Sequence, residues 1–139
     1  MLVKNWMSRN IITIDVDDSM NMAIKLMKQH KIKVLPVMEK GKMVGIITNG
    51  DIKRASASEA STLDIYELAY LLDQIQIRDI MTKNVITVSA LLTIDEVAEL
   101  LLEKKISSVP VVDEDKKIIG MMTKTDILKV LISLTGMQR

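Results

Sequence analysis

The chain carries the octapeptide Gly45-Ile46-Ile47-Thr48-Asn49-Gly50-Asp51-Ile52 and, further on, its counterpart Gly120-Met121-Met122-Thr123-Lys124-Thr125-Asp126-Ile127. Each begins as a strand in which glycine marks a place where another group approaches the backbone closely. Each then passes from Thr into a helix and places Asp in its first turn. The free N–H groups and the helix dipole favour anionic or hydrogen-bonding ligands at that position.

The two octapeptides belong to a longer internal repeat. At one constant offset Met7 coincides with Met81 and Pro36 coincides with Pro110. The chain has only 2 prolines, and they occupy the same position in the two copies of the repeat. In the later part of the repeat the offset grows by one residue, and the extra residue lies between Val111 and Lys117, in a charged stretch. We expect a hairpin turn there, because an exposed loop accommodates one residue at little entropic cost.

Each copy of the repeat predicts the order strand, helix, strand, strand, helix. The fold class is therefore mixed α/β (α+β), with two β-α-β-β-α repeats. Ser19 and its partner Thr93 are suited to cap the first helix of each copy, and an apolar stripe at i, i+3, i+4 and i+7 follows each of them. The predicted strands are 11–14, 34–38 and 43–47 in the first copy, and 85–88, 109–112 and 118–122 in the second.

We place the first repeat at 7–60, a linker helix at 61–79 and the second repeat at 80–136. The stretch from 55 to 61 is either a flexible loop or a continued helix end. Ser61 or Thr62 is the expected cap of the linker helix, which has an apolar face. That face either packs on the chain's own core or contacts another subunit, and the sequence leaves both possibilities open.

Composition excludes several classes of function. The chain has no Cys and one His, which rules out disulfides, thiol nucleophiles, cysteine zinc sites and multi-histidine metal sites. A formal net charge of +1 gives no field that would attract nucleic acid. Charges interrupt every apolar stretch before the roughly 18 residues of a membrane span. We expect a cytoplasmic protein that is not an enzyme and has no nucleic-acid or membrane partner.

The Thr-x-x-Asp spacing has a purely structural interpretation as well. It resembles a capping box, which only starts a helix. Two copies do not decide between the interpretations, because duplication also copies structural caps. A helix cap and a ligand site therefore both remain open for Asp51 and Asp126.

Taken together, these motifs resemble a tandem pair of cystathionine β-synthase (CBS) domains, known as a Bateman module. The resemblance covers nearly the whole chain. Its linker resembles CBS pairs of the acetoin-utilisation type, through Lys53–Ala60 and Tyr70-Leu71-Leu72. The motifs that carry the resemblance are Trp6-Met7-Ser8 and Ile80-Met81-Thr82, Leu35-Pro36-Val37 and Val109-Pro110-Val111, and the two Gly-h-h-Thr-x-x-Asp ends, where h is an apolar residue.

The resemblance implies a regulatory module that binds AMP, ADP, ATP or S-adenosylmethionine in clefts between paired repeats. This adenosyl compound would be a regulatory ligand, and no other cofactor and no metal is implied. The repeats would form a pseudo-two-fold pair within a disc-shaped homodimer. Acetoin-type proteins carry a further small regulatory (ACT) domain after the pair, so we expect a downstream regulatory domain or a target protein as partner. The alternative is a structural dimerisation module with empty clefts.

The resemblance also implies roles for individual residues. Asp51 and Asp126 would accept hydrogen bonds from the ribose hydroxyls. Family members that bind phosphate strongly often place His or Arg where this chain has Lys33-Val34 and Ser107-Ser108, and polyphosphate binding stays open at both sites. The two sites are not equivalent, so we expect them to differ in affinity. The ribose or phosphate residues would be Thr48, Thr123, Thr125, Lys124, Lys33 and Arg54, with Lys129 as a further candidate. The base and cleft residues would be Thr13, Ile14, Asp15, Pro36, Ile46, Thr87, Val88, Ser89, Ser108, Pro110 and Met121.

Overall fold

The computed structural model describes residues 1–59 and 63–136, and its chain divides into two compact units. The first-repeat unit is Ile12–Val85, and the second-repeat unit combines Met1–Ile11 with Ile86–Arg139. The start of the chain thus packs with the second repeat, whereas the segment that precedes the second repeat packs with the first. The limits 7–60, 61–79 and 80–136 remain predictions for the sequence repeat.

The elements of both units follow the predicted order. The first-repeat unit contains β1 (Ile14–Asp15), α1 (Met20–His30), β2 (Val34–Glu39), β3 (Lys42–Thr48), α2 (Asn49–Glu59), α3 (Ile65–Gln74) and α4 (Ile77–Ile80). The second-repeat unit contains a short 3₁₀ turn (Val3–Asn5), β4 (Val88–Ser89), α5 (Ile94–Lys104), β5 (Ser108–Val112), β6 (Ile118–Thr123) and α6 (Lys124–Gly136). The first strand of each repeat is shorter and later than predicted.

Each unit contains one three-stranded sheet, in the order β1-β2-β3 or β4-β5-β6. The first strand runs parallel to the second because a helix connects them, and a tight hairpin makes the third strand antiparallel. In the first sheet Pro36 lies opposite Ile46, and in the second Pro110 lies opposite Met121. The turn between β2 and β3 contains Gly41, whose φ of 79° lies in the left-handed region that glycine adopts without strain.

Local capping explains where the helices begin. The Ser19 hydroxyl accepts the backbone N–H of Met22, which confirms the predicted cap of α1. Thr93 caps α5 and forms a complete capping box with Glu96. The helix that begins at Ile65 is capped by Asp64, whose carboxylate accepts the N–H of Glu67 at 2.8 Å. The expected caps Ser61 and Thr62 lie outside the described residues, and the cap of α3 is a different residue.

The connection between the two repeats involves the end of α2 and the whole of α3. Because α2 runs to Glu59, the stretch from 55 is a continued helix end for as far as it is described. Helix α3 packs on α1, where the Asn21 side-chain amide donates to Ala69 O at 3.0 Å and to Asp73 Oδ1 at 2.9 Å. Its apolar face is divided, since Leu72 packs against the core whereas Ile65 is exposed.

Each unit has its own core of Ile, Val, Leu and Met side chains. The aromatic content of 2% leaves the interior aliphatic, as the composition predicts. The stripes of α1 and α5 supply its helical side, through Met20, Ala23 and Met27 and through Ile94, Val97 and Leu101. Burial of these stripes against the sheets is the main source of helix stability. The strands add Leu35, Val37 and Ile47 in one unit and Val109, Val111 and Met122 in the other.

Candidate functional site

In the first-repeat unit the head of α2 lies beside the start of β2, and in the second-repeat unit the head of α6 lies beside the start of β5. In the first, the backbone N–H of Asn49 donates to Lys33 O at 2.9 Å, and in the second, Lys124 N donates to Ser107 O at 2.9 Å. The two repeats therefore hold the strand-to-helix switch in the same way. This anchoring places Asp51 and Asp126 at equivalent positions.

In the first-repeat unit, Thr48 and Asp51 form a reciprocal cap. Asp51 Oδ2 accepts Thr48 N–H at 2.9 Å, and Thr48 Oγ1 accepts Asp51 N–H at 3.0 Å. The Asp51 residue is only 7% exposed. This is the capping interpretation that the sequence left open, and the geometry confirms that Asp51 performs it.

Two further side chains donate to Asp51. Arg54 Nη2 forms an ion pair with Oδ1 at 2.7 Å, and the Thr82 hydroxyl lies 3.2 Å from both carboxylate oxygens. The Arg54 side chain is itself 74% exposed, so the buried acid is held by a surface guanidinium. Both oxygens of Asp51 are therefore occupied by donors from the protein.

In the second-repeat unit, Asp126 makes the same cap and accepts no donor besides Thr123 among the residues that the structure describes. Its Oδ2 accepts Thr123 N–H at 2.9 Å and the Thr123 hydroxyl at 3.0 Å. Oδ1 has no hydrogen-bond partner within residues 1–59 and 63–136. No fully buried side-chain N or O atom in that part of the chain lacks a partner, so Oδ1 retains accessible surface. The two acids thus differ at Oδ1, which accepts protein donors in Asp51 and accepts none from the described residues in Asp126.

The group that approaches each strand glycine is another part of the chain. A Cβ on Gly45 would lie 2.8 Å from the carbonyl oxygen of Thr82, and one on Gly120 would lie 2.6 Å from Met7 Sδ and 3.0 Å from the carbonyl oxygen of Ser8. Paired backbone hydrogen bonds of 2.8–2.9 Å join Thr82 to Ile46 and Ser8 to Met121. The glycines therefore admit the segment that precedes a repeat.

Thr82 is the site residue that sequence reasoning missed. Its repeat partner is Ser8, so a hydroxyl recurs at this position, and that recurrence was the available signal. The Ser8 hydroxyl makes no hydrogen bond with Asp126 among the described residues. Only the packing of the segment against Gly45 shows that the Thr82 hydroxyl reaches Asp51.

Helix α4 positions Thr82 and is held by an ion-pair cluster. Arg78 bonds Asp17 at 2.9 Å and Glu39 at 3.1 Å, and its backbone N–H donates to Val16 O. The hydrogen bond to Asp17 and then that to Glu39 raise the pKa of Arg78 above its ordinary value. Arg78 thus remains charged and ties α4 to the first sheet.

The remaining predicted residues fall into three groups. Pro36 and Pro110 are buried, with Ile46, Met121 and Ser108 half-buried beside them in the sheets. The first-strand residues alternate, since Ile14 and Val88 point into the cores whereas their neighbours Thr13, Asp15, Thr87 and Ser89 are exposed. The basic and hydroxyl candidates Lys33, Lys124, Thr125 and Lys129 are exposed. Of all the cations predicted, the structure brings only Arg54 to a ribose candidate.

Neither a metal centre nor a membrane span is found in the described part of the chain. Residues 1–59 and 63–136 hold no group of three or more His, Asp or Glu arranged to bind a metal ion. None of their helices is both long enough and apolar enough to cross a bilayer.

The family model described as "CBS domain" matches residues 3–58 and 77–133, which cover both repeats. The chain belongs to the CBS domain family. The prediction from its motifs is therefore confirmed. An uncharacterised protein of Methanocaldococcus jannaschii, MJ1426, is 31% identical over 95% of this chain and 92% of its own length.

Three solved proteins share the fold, and two of them were solved with adenosyl ligands. The CBS pair of protein MJ0100, solved with 5′-methylthioadenosine and S-adenosyl-L-methionine, is 34% identical, with a TM-score of 0.78 over 94% of this chain and 95% of that one. CBSX2, solved with AMP, is 25% identical, with a TM-score of 0.80 over 96% and 98%. A Vibrio cholerae protein assigned to acetoin utilization shares the fold with a TM-score of 0.82, over 99% and 95%, at 24% identity.

Curated relatives that are named as enzymes are much longer proteins. One, from Methanocaldococcus jannaschii, is the L-aspartate semialdehyde sulfurtransferase, which is 36% identical over 93% of this chain. The chain spans only 23% of that enzyme's length. In such relatives the CBS pair is a small part of the protein.

Proposed function

We propose that this CBS pair is a non-catalytic regulatory module that binds an adenosyl ligand, AMP, ADP, ATP or S-adenosylmethionine, at the heads of α2 and α6. The observation that carries the proposal is the pair of largely buried carboxylates, Asp51 and Asp126, at equivalent helix heads. The ligands present in the solved relatives MJ0100 and CBSX2 support the adenosyl class.

A carboxylate at a helix head suits a ribose. It only accepts hydrogen bonds, and its two oxygens together offer about four lone-pair positions. Capping uses Oδ2 of Asp126 and leaves Oδ1 for a donor from outside the protein. A vicinal diol supplies two such donors on adjacent carbons. Asp126 therefore caps the helix and accepts the ligand's hydrogen bonds at the same time. Asp51 does the same once its Oδ1 atom no longer accepts a protein donor.

The regulatory effect is a coupling free energy. A ligand that binds one conformation or assembly of the module more tightly shifts the population towards it, and a partner that distinguishes the two conformations responds. The homodimer belongs to this proposal. Its support is an exposed apolar face on α6 that includes Leu128, Leu131 and Ile132, exposed by 57%, 54% and 67%. Light scattering should give twice the chain mass of 15.6 kDa.

The test is calorimetric titration of AMP, ADP, ATP and S-adenosylmethionine into the parent protein, Asp51→Asn and Asp126→Asn. Asparagine keeps an oxygen for the cap and replaces the other oxygen with an NH₂ group, which cannot accept a hydroxyl proton. Each variant should lose one site and keep its fold. Asp115→Asn, in the exposed β5–β6 turn, is the matched control for the lost charge and should bind as the parent does.

Thermal unfolding gives an independent readout of the same ligands. A ligand at about 100 times its dissociation constant adds roughly 2.7 kcal/mol, and hence a melting shift of about 5–10 °C. The structural alternative, a dimerisation module, is favoured by the completeness of both caps. It predicts neither a melting shift nor titration heat with any of the four ligands. If ligands bind but both asparagine variants titrate as the parent does, the ribose assignment is wrong.

A further inference from the structure

A groove of about 570 Å³ runs along α3 in the first-repeat unit. Its lining residues recur at i, i+3, i+4, i+7 and i+8, which is the spacing of one continuous face of a helix. They are Leu63, Tyr66, Glu67, Tyr70 and Leu71, which we call the groove face. Leu72, in contrast, packs against the core of the unit. Helix α3 therefore has one apolar side that the chain itself covers and a second one that is open.

The groove face holds both tyrosines of the chain. Tyr66 is 84% exposed and Tyr70 is 69% exposed. The chain has only 2 Tyr and no Phe, and its cores are aliphatic, so neither ring is used for internal packing. A tyrosine ring offers a large contact area at a small cost in conformational entropy, and tyrosine is enriched where proteins meet. Two exposed rings one helical turn apart indicate a surface that contacts another molecule.

The surroundings of the two rings are acidic. Glu67 lines the groove with them, and Asp64 and Asp73 are exposed on the same segment. No Lys, Arg or His occurs from 55 to 77. Among the described residues, no ion pair joins any of these three acids to a base. The face of an aromatic ring also attracts cations. A cationic side chain that enters the groove is therefore attracted by the rings and by the carboxylate.

A second copy of the chain fits the groove face poorly. In a two-fold contact each copy presents the same residues to the other. Glu67 and Asp64 would then meet their own counterparts, with no base from 55 to 77 to compensate, and like charges that face each other across an interface are unfavourable. The homodimer contact proposed above uses α6, which belongs to the second-repeat unit. Charge complementarity thus favours a basic partner over a second copy.

We propose that the groove face of α3 is a docking surface for a basic amphipathic helix of a partner protein. The apolar stripe of such a helix would pack along Leu63, Leu71 and the two rings, as in other helix-in-groove contacts. A Lys or Arg beside that stripe would pair with Glu67. Docking of this helix needs no adenosyl ligand, so the inference goes beyond the proposed function and does not depend on it.

The test is fluorescence anisotropy of two labelled model peptides that are titrated with the full chain, without nucleotide. One peptide is an amphipathic helix of leucine and lysine, about four turns long, and the other has glutamate in place of every lysine. The lysine peptide should bind saturably, and its binding should weaken as salt is added. The glutamate peptide should not bind. If the parent protein binds both peptides equally, or neither, the proposal is overturned.

Glu67→Lys reverses the charge in the groove. This variant should bind the lysine peptide at least about tenfold more weakly than the parent does, and it should bind the glutamate peptide. Glu99→Lys is the matched control, because it makes the same charge change at an exposed position of α5, and it should bind both peptides as the parent does. Equal effects of the two variants would assign the binding to overall charge and overturn the proposal.

A double variant, Tyr66→Gln with Tyr70→Gln, removes both rings and keeps good helix formers. Because both side chains are exposed, its circular dichroism should match that of the parent. Its affinity for the lysine peptide should fall at least about tenfold. Leu91→Ser, which removes a 63% exposed apolar side chain between β4 and α5, should leave that affinity unchanged.

Light scattering distinguishes a partner helix from a second copy. The double tyrosine variant should keep the mass that the parent has in solution. A lower mass would show that the groove face holds a second copy, and the proposal would be wrong. If the lysine peptide binds as expected while the adenosyl titrations give no heat, the proposed function fails and the docking surface stands.

Discussion

Gly45→Ala tests the close approach of the Thr82 segment to the first sheet. The new Cβ would lie 2.8 Å from the Thr82 carbonyl oxygen and 2.9 Å from Met81 Sδ. The methionine side chain can rotate away, but the carbonyl belongs to a backbone bridge, where Ile46 N–H donates to it at 2.9 Å. Something in the backbone must therefore shift.

The cost follows from the bonds that this shift breaks. Losing both bridge hydrogen bonds removes about 1 kcal/mol each. Crowding a packed site adds at least about 1 kcal/mol. Against this, replacing a glycine inside a strand by alanine returns about 0.5–1 kcal/mol. The net loss is about 2 kcal/mol, which lowers the melting temperature of a chain of this length by roughly 5–8 °C.

Urea unfolding followed by circular dichroism measures this loss as a lower midpoint at unchanged slope. Gly136→Ala is the matched control, because its added Cβ would meet no atom within 4 Å from the described residues outside its own helix backbone and chain neighbours, and we expect a change of at most about 0.5 kcal/mol. Gly120→Ala should cost less than Gly45→Ala, since its closest contact is a flexible Met7 side chain. A Gly45→Ala protein as stable as the Gly136→Ala control would show that the Thr82 carbonyl does not crowd the first sheet at Gly45.

Two further predictions concern helix caps. Thr93→Ala should lower the free energy of unfolding by about 1–2 kcal/mol, and Ser19→Ala should lower it by about 1 kcal/mol, because of these two caps Thr93 alone belongs to a complete capping box. Chemical denaturation of both variants measures the two losses. Equal losses would contradict this order. The backbone N–H of Glu67 holds the pKa of Asp64 below its ordinary value, so the cap of α3 contributes stability above pH about 4 and loses it as pH falls through the lowered pKa. The Glu67 amide resonance should therefore titrate in acid in the parent and not in Asp64→Asn, and an acid step that persists in the variant would assign the titration to another group.

Features that depend only on residues close together in the chain could be predicted from the amino-acid order. The repeat, the order of elements in each copy, the caps at Ser19 and Thr93, and the acids at the heads of α2 and α6 all follow from short-range spacing. Hydrophobic periodicity and capping are local rules, so a single sequence is enough to apply them. The family resemblance rests on the same spacing.

Contacts between segments that are distant in the chain become visible in the folded protein alone. Met7 and Ser8 pack on Gly120, and Met81 and Thr82 pack on Gly45, although each pair precedes the other repeat in the sequence. The strand glycines predicted that another group approaches the backbone closely, but they did not identify that group. Pairing between distant segments depends on how whole sheets and helices pack. The same holds for the site. Asp51 and Asp126 have the same local motif, and only the surrounding side chains show that one is occupied by Arg54 and Thr82 while the other keeps an open oxygen.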